Sequence, residues 1–180
     1  MGTKTTIDEH RLWIIFHHAY DTMVKCEEQE AQKASITNQQ LLVLWMIEFI
    51  GENTERPVII TELVPYLNRS IASISAIIYR MEKKGLLKTT RDLPDRRSFR
   101  IEITPRGKRL YSEGVQYNRN LLKAMLSVFS PEEMKILTML LTKFKDKASE
   151  LCHIDGKPNP VLEDQEKILR FLNDEPNNMR

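Results

Sequence analysis

The sequence has few of the residues that catalytic and extracellular folds usually need. Its two cysteines, Cys26 and Cys152, lie far apart, which forms neither a disulfide framework nor a paired zinc motif. Six glycines in 180 residues are too few for long flexible linkers or a glycine-rich phosphate loop. The nucleophile elbow, the zinc-protease helix motif and the phosphate-loop motif are all missing. We therefore expect no enzyme activity, no cofactor and no metal site.

Long apolar runs are also missing. No run approaches the roughly 18 residues of a membrane span, and the first ten residues lack the apolar core of a secretory signal. The sparse, unpaired cysteines fit a reducing compartment. These features predict a cytoplasmic protein that has no membrane partner.

Charge is abundant but unevenly distributed. The stretch 80–109 contains eleven Lys and Arg against four Asp and Glu, so its net charge is +7 in a chain whose total is +2. The remaining 150 residues therefore sum to −5. A concentrated basic segment on an otherwise acidic protein is typical of a surface that binds a polyanion, although most charge runs are simply solvated faces.

Hydrophobic periodicity and capping residues predict a mainly helical chain with one hairpin. Thr37 with Gln40 forms a capping box, Ser70 and Thr104 are good N-caps, and Ser130 restarts the chain after the fifth helix. We expect Gly51 to end the second helix, Thr61 to cap the third, and Pro65 to lie near the first turn of the third. The helices are expected at 7–33, 37–51, 61–67, 71–84, 105–129, from 131 onward and, briefly, near 161–172, with strands at 86–90 and 98–103.

This order predicts a winged helix-turn-helix with flanking dimerisation helices. A helix fits the major groove of B-DNA, and a basic hairpin beside it reaches phosphates or the minor groove. Apolar rows remain on the first, fifth and sixth helices, so we expect a homodimer that reads an inverted-repeat operator. The predicted regions are a dimerisation region at 1–36 and 105–153, a DNA-binding domain at 37–104, and an extension of unknown role at 154–180.

Three blocks with matching spacing carry a family resemblance. Residues 80–86 (RMEKKGL), 95–97 (DRR) and 103–107 (ITPRG) are similar to the recognition-helix end, the wing tip and the strand-to-helix junction of the MarR family. The resemblance spans about 7–153. It implies a DNA-binding transcription regulator, commonly a repressor that a small aromatic effector releases from DNA.

The resemblance also implies roles for individual residues. Arg97 would enter the minor groove, and Asp95 would hold the pair Arg96 and Arg97. The chain departs from the family at Thr89 and Thr90, where arginine is common, and no DNA role is assigned to either. The face of the fourth helix that would enter the major groove comprises Ser70, Ser73, Ala76, Tyr79 and Arg80. This face has little Asn, Gln or Arg, so we expect modest base readout and more shape readout.

Other functions remain open. An effector pocket is expected from aromatic and imidazole side chains at helical spacing, although such a stripe is more often core: Trp13, Phe16, His17, Tyr20, Trp45 and Phe49. Oxidant sensing through Cys26 and metal sensing through Cys152, His153 and the histidines of the first helix are weaker alternatives, because no thiolate activation or converging ligand set is visible. A helical protein-interaction module without DNA binding is a third.

Overall fold

Six helices and one two-stranded hairpin follow one another in the computed structural model, which describes residues 5–54, 56–67, 69–91 and 99–152. The hairpin is antiparallel and pairs Leu87 with Ile103 and Thr90 with Arg100. The predicted class, mainly α with a small hairpin wing, is confirmed. The elements are α1 (Thr5–Lys33), α2 (Asn38–Asn53), α3 (Ile60–Leu67), α4 (Ile71–Lys83), β1 (Leu87–Thr90), β2 (Arg100–Ile103), α5 (Pro105–Leu126) and α6 (Pro131–Leu151).

Four helices begin at the caps that the sequence predicts. The Thr37 hydroxyl accepts from the Gln40 N–H at 3.2 Å while the Gln40 side chain accepts from the Thr37 N–H, which completes a capping box. Ser70 and Thr104 accept from the backbone three residues ahead in the same way. Ser130 forms a second capping box with Glu133. Each cap satisfies donors that the helix itself leaves unpaired.

The predicted end of the second helix is wrong. α2 continues through Gly51 to Asn53. Nothing forces a left-handed residue at 51, and the last carbonyls find side-chain donors instead. The Asn53 amide donates to the Phe49 carbonyl at 2.7 Å, and the Thr54 hydroxyl donates to the Ile50 carbonyl at 2.9 Å. Side-chain capping at 53 and 54 therefore ends the helix where glycine was expected to.

The start of the third helix also differs from the prediction. α3 begins at Ile60, so Thr61 is inside the helix rather than its cap. The chain before it is held by the hairpin, since Ile59 pairs with Arg100, and the Glu62 carboxylate accepts from the Ile59 N–H at 3.2 Å. Pro65 is consequently in the second turn of α3, where it removes one internal donor. A helix of eight residues tolerates this loss because it has few such bonds to begin with.

The hydrophobic core lies in the middle of the chain. It is built by α2, α3, α4 and the hairpin, and Tyr111 of α5 closes it from the side. The apolar row of α4 is fully inside: Ile74, Ile77, Ile78 and Met81. By contrast, α6 buries none of its residues. The two ends of the described chain therefore have no core of their own in a single copy.

Candidate nucleic-acid interface

Helix α4 presents one face to the core and the opposite face to solvent. Its buried residues recur at spacings of three and four, which leaves Ala72, Ala76, Tyr79 and Lys83 in a row on the other side. The helix ends at Lys83 because Gly85, with a φ of +68°, adopts the left-handed conformation that turns the chain into β1. The result is an exposed helix that continues directly into a hairpin.

Every residue predicted on the DNA-facing side of α4 is exposed. This holds for five positions: Ser70, Ser73, Ala76, Tyr79 and Arg80. The sequence interpretation missed Lys83, whose ammonium lies 4.6 Å from the centre of the Tyr79 ring. The spacing of four residues on one helix was the signal that could have found this pair. A cation over the ring places positive charge at the C-terminal end of the exposed row.

The base of the wing is held by side chains, whereas its predicted tip, Asp95, Arg96 and Arg97, lies outside the described residues. The Arg91 guanidinium carbon is 4.5 Å from the centre of the Phe99 ring, so the residues that follow β1 and precede β2 stack on each other. This contact joins the end of β1 to the start of β2 at the base of the wing.

Glu82 joins α4 to the wing, which sequence reasoning did not foresee. One carboxylate oxygen accepts from the Thr89 N–H at 2.8 Å and from the Thr89 hydroxyl at 2.7 Å. Thr89 stands where the MarR resemblance suggests arginine, so support of the wing by a charged side chain is missing at this position. Both residues are half-buried, so the two hydrogen bonds supply that support without a second charge.

The start of α5 is pressed against the end of α4. The Thr104 hydroxyl lies 2.7 Å from the Gly85 carbonyl oxygen and 3.1 Å from that of Leu86. Gly107 comes so close that a Cβ built on it would be 2.2 Å from the Leu86 carbonyl oxygen. The exposed helix, the hairpin and α5 therefore meet in one junction with no space for a side chain at 107.

Comparison with known proteins relates this arrangement to DNA-binding regulators. Residues 36–107 match the profile of a winged helix DNA-binding domain. The HTH-type transcriptional regulator YfiV of Bacillus subtilis is 21% identical over 126 residues, which cover 70% of this chain and 76% of the relative. The homoprotocatechuate degradative operon repressor of Escherichia coli is 31% identical over 72 residues, which cover 40% of this chain and 49% of the relative.

Two solved structures share the fold. The organohalide-sensing regulator RdhR-CbdbA1625, solved with 2,4-dichlorophenol bound, superposes with a TM-score of 0.72 at 23% identity, covering 83% of this chain and 86% of its own. Escherichia coli MarR, solved as a cysteine-to-serine mutant with operator DNA, gives a TM-score of 0.67 at 17% identity and coverages of 79% and 99%. This chain has the winged-helix fold of MarR-type transcription regulators. Its curated relatives are transcription regulators.

The predicted effector residues of this chain fall into two groups in its structure. On α1, the centre of the His17 ring lies 4.1 Å from the ring centre of Trp13 and 6.0 Å from that of Phe16. The ring centres of Phe16 and Phe144 of α6 are 5.1 Å apart. Phe144 was not predicted. Tyr20, also on α1, is exposed.

The second group lies in the winged-helix core. Phe49 is buried and contacts Trp45 at 6.4 Å and Tyr66 of α3 at 6.1 Å between ring centres. Phe49 therefore has the core role that was the plainer interpretation of the stripe.

The α2–α5 junction of the regulator contains buried polar groups. Burial and the nearby Glu48 and Glu52 carboxylates raise the pKa of Tyr111 far above its ordinary value of 10.0, so its hydroxyl stays protonated. The Lys108 ammonium lies 3.9 Å from a Glu48 oxygen, close enough for an ion pair but too long for a hydrogen bond. The inaccessible Glu48 oxygen and the Arg119 Nε make no hydrogen bond among the described residues.

Metal and redox sites receive no support from the described part of the regulator. Within it, no three His, Cys, Asp or Glu side chains converge as metal ligands would. Cys26 is half-buried, Cys152 is exposed, and both are free thiols. His153 lies outside the described residues. In the same part of the chain, no helix is both long and apolar enough to cross a membrane.

Proposed function

We propose that this regulator is a cytoplasmic homodimeric repressor that binds an inverted-repeat operator and is released by a small aromatic effector. The observation that carries the proposal is the coexistence of two exposed surfaces. One is the DNA-facing side of α4. The other is an extensive apolar surface on α1, α5 and α6, on parts of the chain that share little of the core.

The apolar surface, called here the stalk face, supports a dimer. It consists of large apolar side chains that remain solvent-exposed in one copy: Leu12, Trp13, Ile14, Ile15, Phe16, Tyr20 and Val24 of α1, Leu122 and Leu126 of α5, Val128 and Phe129 beyond it, and Met134, Ile136, Met139, Leu140, Leu141, Phe144 and Leu151 of α6. Soluble monomers rarely leave so many large apolar side chains exposed to water, and a second copy related by a two-fold axis supplies a matching surface.

A two-fold dimer implies the form of the operator. Two α4 helices related by the axis would enter successive major grooves about one helical turn (~34 Å) apart and read a near-palindrome. We assign the adjacent minor-groove contacts to the wing tips, with Arg97 inserted and Asp95 orienting Arg96 and Arg97. This assignment rests on the sequence resemblance alone.

Repression and release are suggested by named relatives. One relative is an operon repressor named for homoprotocatechuate degradation, and one structural neighbour was solved with 2,4-dichlorophenol. Both names point to small aromatic compounds. In this chain we place the effector beside the α1 group, Trp13, Phe16, His17 and Tyr20. Effector and operator would then each weaken the binding of the other by one common factor.

Selection of genomic fragments tests the proposal directly. The full chain, incubated with sheared genomic duplex DNA and recovered at moderate salt, should enrich a few promoter regions. Footprinting of these regions should protect near-palindromes whose half-sites are one turn apart. Scattered, asymmetric footprints, or equal recovery of all fragments, would contradict it. Since the genes next to an enriched site indicate the pathway, their substrates provide the first effectors to try.

A further inference from the structure

The first two turns of α4 expose apolar groups where a DNA-reading helix commonly carries hydrogen-bonding side chains. Ile71, the first residue of the helix, is 53% exposed. Ala72 and Ala76 are exposed on the side opposite the buried row. The N-terminal residues of a recognition helix are those that reach base edges. The chemistry of these three side chains therefore bears on which bases are read.

The hydroxyls in the same two turns are partly committed to the helix itself. Ser70 accepts from the Ser73 N–H at 3.2 Å, and its own proton is directed to the Ser73 oxygen at 3.1 Å. Ser75 donates to the Ile71 carbonyl at 2.8 Å. Of these serines, only Ser73 keeps its proton for another acceptor. Few hydroxyl protons are thus left for the bases in the part of the helix that exposes Ile71, Ala72 and Ala76.

The charged side chains lie at the other end of the helix. Arg80 and Lys83 are in its last turn, Lys84 caps it, and the Lys83 ammonium is held over Tyr79. From there, they are suited to phosphates or to the outer bases of a half-site. The exposed side chains of Ile71, Ala72 and Ala76 have neither the paired donor and acceptor that recognises adenine nor the cation that recognises guanine.

In the major groove, the base group that matches an apolar surface is the 5-methyl of thymine. We propose that Ile71, Ala72 and Ala76 determine the operator specificity of this regulator by packing against thymine 5-methyl groups. The inference rests on the proposed entry of α4 into the major groove and adds to it the base that the helix reads. It differs from readout of DNA shape alone, which needs no methyl group.

The first experiment removes the methyl group and nothing else. The full chain selects duplexes from a random library, and the resulting consensus is synthesised with thymine or with uracil at each half-site position. Uracil at the positions facing α4 should weaken binding about fourfold per methyl, the equivalent of about 0.8 kcal/mol for a buried methylene-sized group. Uracil in flanking DNA should have no effect, which controls for general changes in the duplex.

The second experiment assigns the contact to the helix. Ile71→Ala should weaken binding to the thymine duplex several-fold but cause little further loss on the uracil duplex, because the methyl that Ile71 contacts is already gone. Lys88→Ala is the matched control. Lys88 is exposed on β1, and its removal should weaken both duplexes by the same factor. Since Ile71 is half-exposed at a helix end, the thermal midpoint should stay close to that of the parent.

The outcomes separate this inference from the proposed function. Unchanged affinity on the uracil duplex, an equal loss for Ile71→Ala on both duplexes, or a consensus without thymine opposite α4 would each overturn methyl readout while leaving an operator-binding regulator. Failure to select any consensus would instead refute the proposed function. A selective loss at one or two thymines that Ile71→Ala abolishes would support the inference.

Discussion

Gly107 shows how one missing side chain sets the distance between two elements. A Cβ at this position would lie 2.2 Å from the Leu86 carbonyl oxygen and 2.8 Å from the Ile103 Cγ2 atom. The first of these is a backbone atom of the α4–β1 connection, so relief requires the whole junction to move. The close approach of the two elements is therefore possible only because residue 107 has no side chain.

We expect Gly107→Ala to lower the free energy of unfolding by about 1–3 kcal/mol, the usual cost of overpacking. Gly51→Ala is the matched control, since a Cβ there meets only Val58 at 3.9 Å inside a helix. That change should raise the free energy of unfolding by about 0.5–1 kcal/mol. Urea denaturation of both variants measures the two effects. If they shift stability in the same direction, the close approach at 107 is not what destabilises the variant.

At the wing tip, charge and orientation can be separated by mutation. Arg97→Ala should weaken operator binding by about 1–3 kcal/mol and reduce the salt slope by about one phosphate equivalent. Asp95→Ala should also weaken binding, although it removes a negative charge, because the arginines lose their orienting partner. Tyr79→Ala should change affinity without changing the salt slope.

Fluorescence anisotropy on one operator at several salt concentrations distinguishes these roles. Tighter binding by Asp95→Ala would mean that the wing acts as a diffuse basic patch. An unchanged salt slope for Arg97→Ala would mean that its guanidinium displaces no counterion.

At the scale of the helices and strands, local patterns predicted the beginnings better than the ends. Thr37, Ser70, Thr104 and Ser130 were predicted as caps because a capping motif is complete within four residues of sequence. The end of α2 and the start of α3 depend on partners that no short window contains. The bridge from Ile59 to Arg100, for instance, joins residues that are separated in sequence by all of α3, α4 and β1.

The candidate site follows the same division. The DNA-facing side of α4 was predicted through the resemblance to the MarR family. Glu82 was missed because its contact with Thr89 requires knowing how β1 folds back on α4. Trp45 and Phe49 were joined to the aromatic residues of α1 because spacing along the sequence does not reveal which side of α2 faces the core.

The start of α6 gives a pH-dependent prediction. The backbone N–H and the side chain of Ser130 lower the pKa of the Glu133 carboxyl below its ordinary 4.5. Because its pKa is lowered in the folded state, the ionised Glu133 carboxylate stabilises the start of the helix above pH 4.5. This contribution is lost as the pH falls through the lower pKa of the folded state. Amides near 130–134 should therefore lose protection in acid relative to their intrinsic exchange rates, and Glu133→Gln should remove this dependence. Glu132→Gln, which leaves both cap hydrogen bonds in place, should retain it; if it does not, the cap is not the cause.

At the scale of the whole molecule, the stalk face predicts the mass in solution. Light scattering at micromolar concentration should give about 42 kDa, twice the chain mass of 21.1 kDa. Leu140→Glu should shift the mass toward the monomer because it places a charge in the proposed contact. Tyr79→Glu, an equally disruptive change on an exposed part of α4, should leave the mass unchanged. A parent chain that stays monomeric under these conditions would rule out the dimer.

The junction at Gly107 also makes α5 a lever arm. Its 22 residues span about 33 Å, and its first turn is bonded through Thr104 to the end of α4. If the helix pivots near its C-terminal end, a rotation of only about 5° moves the N-terminal end by roughly 3 Å, close to the ~3.4 Å rise of one base pair. A rotation of α5 too small to disturb packing at the stalk face would thus displace α4 far enough to lose its alignment with the DNA groove.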